Sequence, residues 1–321
     1  MDIFIFFLQA LAIPFCAPLA VGVIRKAKAR LQNRVGADVF QPYRDLWKLF
    51  HKDEVISDET SWIFRFSPYL IFAVTVGIGV SIPVITTMAP SLFVSSFFDF
   101  SFLAGGDFIV IIYLFALTTF FLALAGMDAG SGFGGFGSSR EMTMAALAEG
   151  GLFFSLLVAS IIAQTGNVLT MVESLQSVPF QSYIPLFIAF IAFFIALLAE
   201  NGRFPVDNPA THLELTMIHE AMILEYSGKR LALIEWASFS KLLIFVALGA
   251  NVFFPWGVAT SFLPEMIGMS VVWFVLKATV LLLAIAFIES TMAKFRIFRV
   301  PDLLFTSFVL SAIALIVTIT F

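Results

Sequence analysis

The chain has 321 residues, of which 60% are hydrophobic and only 12% are charged, and its formal net charge at pH 7 is −4. Soluble domains are nearer half apolar and one quarter charged, so composition excludes a water-soluble fold and indicates that the solvent is lipid. The negative net charge and the absence of a long basic run argue against nucleic acid as a partner. The single cysteine, Cys16, cannot form a disulfide framework or hold an iron–sulfur cluster, and we interpret it as a small core residue.

A transmembrane helix needs about 20 mostly apolar residues. The sequence predicts an all-α polytopic membrane protein, a single membrane domain over 1–321, with about eight spans at roughly 3–24, 67–89, 107–126, 142–164, 181–199, 237–258, 267–289 and 302–320. The first apolar run follows Met1 and Asp2 without a basic n-region or an Ala-x-Ala site. We therefore interpret it as a retained span and not as a cleaved signal peptide.

The loops between these spans differ sharply in positive charge. Basic residues outside the spans are confined to four loops, at 25–66, 127–141, 200–236 and 290–301, whereas the loops at 90–106, 165–180 and 259–266 contain no Lys or Arg. Because cytoplasmic loops carry the excess of Lys and Arg, the four basic loops are predicted to be cytoplasmic. The chain is then expected to lie in the cell's inner (cytoplasmic) membrane with both termini outside.

The first cytoplasmic loop contains an amphipathic helix. Residues 41–52 begin with a proline near a plausible helix start, and Leu46, Leu49 and Phe50 recur at helical spacing beside basic side chains. We expect this helix to lie in the membrane interface on the cytoplasmic side.

Residues 132–137 match the letters of the G-x-G-x-x-G dinucleotide-binding pattern. That pattern requires a preceding strand and a βαβ unit, whereas here it follows a predicted membrane span. We therefore expect a tight cytoplasmic turn whose glycines let another backbone approach closely.

Glu149 lies inside the otherwise uncharged run 142–163. A charge at mid-bilayer depth costs about 2.5–3.5 kcal/mol on insertion scales, so this carboxyl group needs a wet cavity, a partner or a bound proton. We favour a functional role in proton transfer, and the alternative is a neutral acid that hydrogen-bonds a neighbouring helix. Glu141, two turns earlier and beside Arg140, is expected to form a salt bridge at the membrane rim.

The segment 200–226 combines acids and histidines with apolar residues at core-like spacing, and 207–226 is predicted to be helical. Its carboxylates are Glu200, Asp207, Glu214, Glu220 and Glu225, and its histidines are His212 and His219. We favour a membrane-embedded acidic funnel over a cytoplasmic loop with ordinary surface acids. Closely spaced carboxylates share protons near neutral pH and, when bridged by water, can relay them.

The two histidines lie seven residues apart, on one helical face. Together with the nearby acids they make a metal site conceivable, but Ile223 occupies the second histidine position of the His-Glu-x-x-His pattern. We predict no metal in this chain and interpret both as satisfied or interface histidines.

Lysine is scarce within membrane spans and often marks function there. Lys241 lies near enough to the predicted cytoplasmic boundary to extend its ammonium group to water, which is the interpretation we favour. Lys277 lies deeper in the seventh span, where a relay or counter-ion role and a structural role are equally supported. Glu289 lies at the other end of that span.

Taken together, these residues resemble subunit 1 of respiratory complex I over nearly the whole chain. The resemblance is carried by Glu200-Asn-Gly-Arg203-Phe-Pro205-Val-Asp207, Glu214-Leu215, Glu225-Tyr226-Ser227-Gly228, Arg34-Val-Gly36, Gln41-Pro42, Asp45-x-x-Lys48-Leu49, and Arg140 with Glu149. Within that family the chain looks more like the hydrogenase branch, that of hydrogenase-4 component C and formate hydrogenlyase subunit 4. The segments that favour this branch are Gln41-Pro-Tyr43-Arg44-Asp45 and Glu289-Ser290-x-Met292-Ala293-Lys294.

The resemblance implies a subunit that anchors a soluble redox arm and lines its junction with ion-pumping membrane subunits. The proton path is then expected to contain Glu149, Glu200, Asp207, Glu214, Glu220, Glu225 and Lys277. Docking of the redox arm, or charge pairing, is assigned to Arg34, Arg140, Glu141, Arg203, His212 and His219. The expected partners are peripheral hydrogenase-like large and small subunits and antiporter-like membrane subunits. A nickel–iron centre and iron–sulfur clusters are expected in those partners and none in this chain, with quinone left open.

The chain departs from complex I where the quinone cavity of that family meets its acids. Ala210, Thr211 and His212 stand where complex I carries further acids, and three extra residues lie between Leu215 and Glu225. We therefore predict a non-catalytic membrane anchor and proton-coupling subunit of a complex I-like energy-converting membrane-bound hydrogenase or related oxidoreductase. The main alternative is the quinone-chamber subunit of a proton-pumping quinone oxidoreductase. A stand-alone transporter is disfavoured by the lack of an inverted repeat, and a passive anchor with structural acids is the fourth hypothesis.

Overall fold

The fold is helical, as predicted. The computed structural model describes residues 2–57, 59–87, 106–207, 217–261 and 263–320. The helices of this part are α1 (Asp2–Leu31), α2 (Gln41–Phe50), α3 (Trp62–Ser81), α4 (Phe108–Asp128), α5 (Gly132–Ala163), α6 (Val168–Leu175), α7 (Tyr183–Glu200), α8 (His219–Ile223), α9 (Gly228–Val252), α10 (Pro264–Thr291) and α11 (Val300–Thr320). Short 3₁₀ turns, Phe180–Ser182 and Ile297–Arg299, precede α7 and α11.

Seven of the described helices are long and apolar enough to cross a membrane, namely α3, α4, α5, α7, α9, α10 and α11. The predicted first span falls within the 30-residue α1, so about eight spans was a sound approximate count. The boundaries of α3 were wrong by several residues. Ser61 caps its first turn by accepting a hydrogen bond from the Ile63 N–H at 3.1 Å, and the chain turns extended at Ile82, just before Pro83.

The loops predicted to be cytoplasmic meet on one face of the molecule. The Asp128 Oδ2 accepts hydrogen bonds from the N–H groups of Ser61 at 2.9 Å and Phe64 at 3.2 Å. Ser227 Oγ bonds both the N–H and the carbonyl of Val55 at 3.0 Å. Segments from three of the predicted cytoplasmic loops are thus joined.

The opposite loops meet on the other face. The Thr87 N–H donates to the Ala259 carbonyl at 3.2 Å, and the Gln176 side chain donates to the Val258 carbonyl at 3.3 Å. These bonds join parts of the chain near loops that carry no Lys or Arg, and the assignment of either face to the cytoplasm stays a prediction.

Helix α9 forms the centre of the bundle, being the most enclosed of the seven candidate spans, whereas α11 is the least. It packs against α1, α2, α3, α6, α7 and α10. A second group forms around α5, which packs against α4, α7 and α11. The last residue of α7 faces the middle of α9, where Glu200 meets Lys241.

The glycine run 132–137 is the first turns of α5 and not the tight turn predicted. Its close-packing role was anticipated correctly. A Cβ on Gly134 would lie 2.1 Å from the Gly126 carbonyl oxygen, and one on Gly137 would lie 2.9 Å from the Ile218 carbonyl oxygen. These glycines let α5 approach α4 and the residues before α8.

The predicted amphipathic helix is α2. Leu46 is buried while Leu49 and Phe50 pack against the core, and Trp47 is exposed. Cys16 is also exposed, so its interpretation as a core residue was wrong; it lies on the outer side of α1.

The helix predicted over 207–226 was too long. In the described part of this segment only His219–Ile223 is helical, and Ile218, just before it, has non-helical dihedral angles. Residues 208–216, which include the predicted site residues His212 and Glu214, lie outside the described residues.

Candidate functional site

The first residue of the predicted acidic segment, Glu200, forms an ion pair between two membrane helices. The Lys241 Nζ, on α9, lies 2.8 Å from Oε2 of Glu200, at the end of α7. The Glu200 side chain is only 4% exposed, and Thr119 Oγ1 lies 3.5 Å from the same ammonium. A charge pair this enclosed must compensate a large desolvation cost through its own attraction and through further hydrogen bonds.

The second carboxylate oxygen of Glu200 is buried and has no hydrogen-bond partner among the described residues. An unsatisfied buried acceptor is costly unless water or a proton reaches it. This oxygen therefore identifies the point at which the cluster needs an additional small polar species.

A cavity of about 40 Å³ adjoins this pair. One water needs about 10–15 Å³ of such volume, so the cavity fits a short chain of water molecules. Its polar lining comes from six helices and the loop position after α7: Thr75, Thr118, Thr119, Glu141, Glu200, Asn201, His219, Ser238 and Lys241. The space is narrow, and its wall combines these polar groups with the apolar side chains of Ile71, Leu122 and Ile234.

A second, smaller cavity of about 10 Å³ continues from the first. Glu141 and Glu200 line both cavities, and Asp207 lines the second. Glu141 therefore lies between the two spaces. The predicted rim salt bridge with Arg140 is not among the ion pairs of the described residues, and Arg140 instead donates to the Met217 carbonyl at 3.0 Å.

Asp207 connects the acidic segment with the chain that follows α10. Its Oδ1 lies 2.6 Å from the Lys294 Nζ, and its Oδ2 accepts a hydrogen bond from the His219 N–H at 3.3 Å. Asp207 is 3% exposed, so both bonds hold a buried carboxylate in place.

His219 faces the larger cavity as a neutral ring at neutral pH. Burial and the positive charge of Lys241 lower its pKa to about 4, while Asp207 acts in the opposite direction. A neutral imidazole has one donor and one acceptor nitrogen, so it can pass hydrogen bonds through the cavity.

Glu220, on the next position of α8, has the opposite shift. Burial and the negative charges of Glu235 and Asp207 raise its pKa to about 7, while Arg25 counteracts them. Glu220 can therefore exchange a proton near neutral pH. Neither Glu235 nor Arg25 was among the residues predicted from the sequence.

A second ionic cluster surrounds Glu289, whose side chain is 3% exposed. Its two carboxylate oxygens each lie 3.1 Å from a cation, Arg203 Nη1 and Lys28 Nζ. The Lys28 ammonium also lies 4.6 Å from the centre of the Phe204 ring. This cluster ties α1 and α10 to the loop that follows α7.

Glu149 lies eight positions beyond Glu141 on α5, about 12 Å farther along the helix axis. It is partly buried and lies within electrostatic reach of Glu200 and Lys241. The smaller cavity is lined by Ala148, the residue before Glu149, so Glu149 lies next to the inner end of that cavity on the same helix.

The remaining predicted site residues lie apart from the cavities. Glu225 and Arg34 are exposed. Lys277 lies on the other face, where its Nζ donates to Asn251 Oδ1 at 2.8 Å and to the carbonyls of Phe254 and Trp256 at 2.9 and 3.0 Å. This lysine neutralises the carbonyl end of α9.

Three lysines and one acid of the two clusters were not assigned to the site from the sequence, namely Lys28, Lys241, Lys294 and Glu289. Lys241 was expected to reach water, whereas α9 turns it inward to Glu200. Lys241 could have been identified from charge compensation. A buried acid at the end of α7 needs a cation at the same membrane depth.

Comparison with known proteins gives matches over the whole chain. Residues 3–320 match the family described as NADH dehydrogenase. The chain is 34% identical over 301 residues to formate hydrogenlyase subunit 4 of Escherichia coli (strain K12), covering 94% of each chain. It is 32% identical to hydrogenase-4 component C of the same organism, covering 97% of this chain and 94% of that one.

More distant relatives are similar as well. A subunit of an NADH-quinone oxidoreductase of Symbiobacterium thermophilum is 27% identical, with 92% of this chain and 89% of that one covered. A chain in the structure of the membrane-bound sulfane sulfur reductase, an archaeal respiratory membrane complex, superposes with a TM-score of 0.80 at 22% identity, covering 98% and 99% of the two chains. That similarity shows a shared fold.

Proposed function

Because the chain belongs to the NADH dehydrogenase subunit 1 family, we propose that it is the membrane anchor and proton-coupling subunit of a complex I-like energy-converting hydrogenase or related oxidoreductase. Two relatives that exceed 30% identity are a formate hydrogenlyase subunit and a hydrogenase-4 component. Redox chemistry takes place in partner subunits, and this chain converts it into proton movement.

The observation that carries the proposal is the Glu200–Lys241 pair with its open carboxylate oxygen beside a water-sized cavity. A change of charge near residues 200–207 and 217–226 alters the balance between these two groups. Protonation of Glu200 releases Lys241 from its partner, and water in the cavity connects the acid to Glu141. Glu149 then takes the proton deeper into the bundle.

The proposed surroundings follow from the same relatives. Peripheral hydrogenase-like large and small subunits dock on the face formed by the basic loops, and antiporter-like subunits adjoin the membrane helices. A nickel–iron centre and iron–sulfur clusters belong to those partners. The basic loops face the cytoplasm of the inner membrane, with both termini outside. This orientation is tested with single cysteines that replace exposed Lys229 and Glu265 and are labelled from either side of the membrane.

The decisive experiment replaces Glu200 by Gln in the assembled complex reconstituted in liposomes. We expect proton translocation to fall about tenfold or more, a typical loss for a removed proton-transfer group, while hydrogen formation from a soluble electron donor continues. Glu173→Gln, which changes an exposed acid on α6, is the matched control. An assembled Glu200→Gln complex that pumps normally would refute the proposal and favour a passive anchor.

The quinone-chamber alternative draws on the similarity to the NADH-quinone oxidoreductase of Symbiobacterium thermophilum. Organic ligands occupy pockets of about 300–1,000 Å³, whereas the acid-lined cavity in the described residues has about 40 Å³. Photo-crosslinking with a quinone analogue tests the alternative. Labelling of this chain beside Glu200 supports it, and labelling confined to other subunits contradicts it.

A further inference from the structure

The segment from Glu289 to Phe295 lies across the loop 201–207 and is bonded to it at three points. Arg203 is paired with Glu289, Asp207 is paired with Lys294, and the Phe295 N–H donates to the Pro205 carbonyl at 2.9 Å. We call residues 289–295 the strap. It connects the end of α10 with the turn before α11, so two membrane helices hold this loop.

The loop under the strap forms part of the cavity wall. Asn201 lines the larger cavity, and Gly202, Val206 and Asp207 line the smaller one. Val206 is 2% exposed, so the loop is closed over the cavities. Any displacement of the strap therefore alters the walls of the proton path without changing its proton-carrying groups.

Glu289 joins the strap both to the loop 201–207 and to α1. Its buried carboxylate accepts Arg203 on one oxygen and Lys28 on the other, and Lys28 also covers the ring of Phe204. One side chain thus holds two consecutive loop residues, one directly and the other through a lysine of α1.

We propose that Glu289 is a positioning residue that keeps the loop 201–207 closed over the proton path through Arg203 and Lys28. The effect on proton transfer rests on the proposed function, whereas the contacts that hold the loop 201–207 do not. Loss of the Glu289 charge leaves two partly buried cations without this counter-ion, which opens the loop and exposes Val206.

The test uses Val206→Cys in a Cys16→Ser background, with maleimide labelling of this chain measured by mass spectrometry in the intact complex. Labelling of a buried thiol reports the population of the open loop. Adding Glu289→Gln is expected to speed labelling by about tenfold or more, because breaking a buried ion pair is strongly destabilising, and Glu289→Asp is expected to restore slow labelling. Glu265→Gln, an exposed acid on the same helix, should have no effect.

A second variant covers failure of Glu289→Gln to assemble. Arg203→Gln leaves Glu289 paired with Lys28 and should also speed labelling, since the direct bond to the loop is lost. Unchanged labelling in either assembled variant overturns the inference. Glu200→Gln should leave labelling slow while it abolishes proton transfer, so failure of the strap and failure of the proposed function give different results.

Discussion

Replacement of Lys241 by Met removes the cation of the buried pair and preserves most of the side chain's volume. Glu200, 4% exposed and 2.8 Å from the ammonium, then has no counter-charge at hydrogen-bond distance among the described residues. We expect the carboxyl group to hold a proton in the variant, and the complex to lose coupled proton transfer.

The magnitude follows from two competing costs. A buried carboxylate deprived of its partner destabilises the fold by about 3–5 kcal/mol. Protonation of an ordinary glutamate at pH 7 costs about 3.7 kcal/mol, from its reference pKa and 1.36 kcal/mol per unit. Because the two costs are comparable, Glu200 is expected to bind a proton in the variant and not to remain an unpaired carboxylate. The loss in the free energy of unfolding is then limited to about 4 kcal/mol.

Infrared difference spectroscopy of the purified complex measures this directly. The carbonyl band of a protonated carboxylic acid should appear in Lys241→Met and vanish in the double variant with Glu200→Gln. Lys229→Met, at an exposed position in the first turn of α9, is the control for removing a lysine from this helix. Absence of the new band together with normal proton translocation would contradict the assignment of Lys241 as the partner that keeps Glu200 charged.

Three further predictions concern other parts of the site. Glu149→Gln should leave assembly intact and abolish proton translocation in liposomes, since Glu149 follows Glu141 along α5; retained pumping would remove it from the path. Because the pKa of His219 is lowered from the ordinary 6.5 to about 4, its contribution to stability is complete above pH 6.5 and is lost as the pH falls towards 4, so His219→Gln should flatten the loss of thermal stability in that interval. Gly134→Val should prevent assembly, because a Cβ there meets the Gly126 carbonyl at 2.1 Å, whereas Gly135→Ala, with open space around its Cβ, should be tolerated.

Local pattern predicted the membrane helices because they depend on composition over long windows. The structure places Glu200, Asp207 and His219 around the two cavities, since short sequence separation and apolar neighbours bring them to one place. The same argument misjudged Glu225, which lies within the same segment but on its exposed side.

Pairing across the bundle could not be predicted from spacing. Lys28 and Glu289 are separated by 261 positions, and their contact depends on how α1 and α10 pack. Lys241 could reach either the water boundary or the interior, and the rotation of α9 against α7 decides which. The sequence placed Lys277 deep in a membrane span, where lysine is rare. Its role as a hydrogen-bond donor to carbonyl groups depends on the path of the chain after Val252 and could not be predicted.

The enclosure of α9 restricts how the site can operate. Neighbours surround this helix along its length, and Lys277 fastens its far end, so turning or sliding it would require rebuilding a close-packed interior. The backbone that carries Lys241 therefore stays still while the ammonium swings on four flexible carbon–carbon bonds. Charge transfer at this site proceeds by reorientation of side chains and water on a stationary frame, which leaves larger displacements to the loop 201–207.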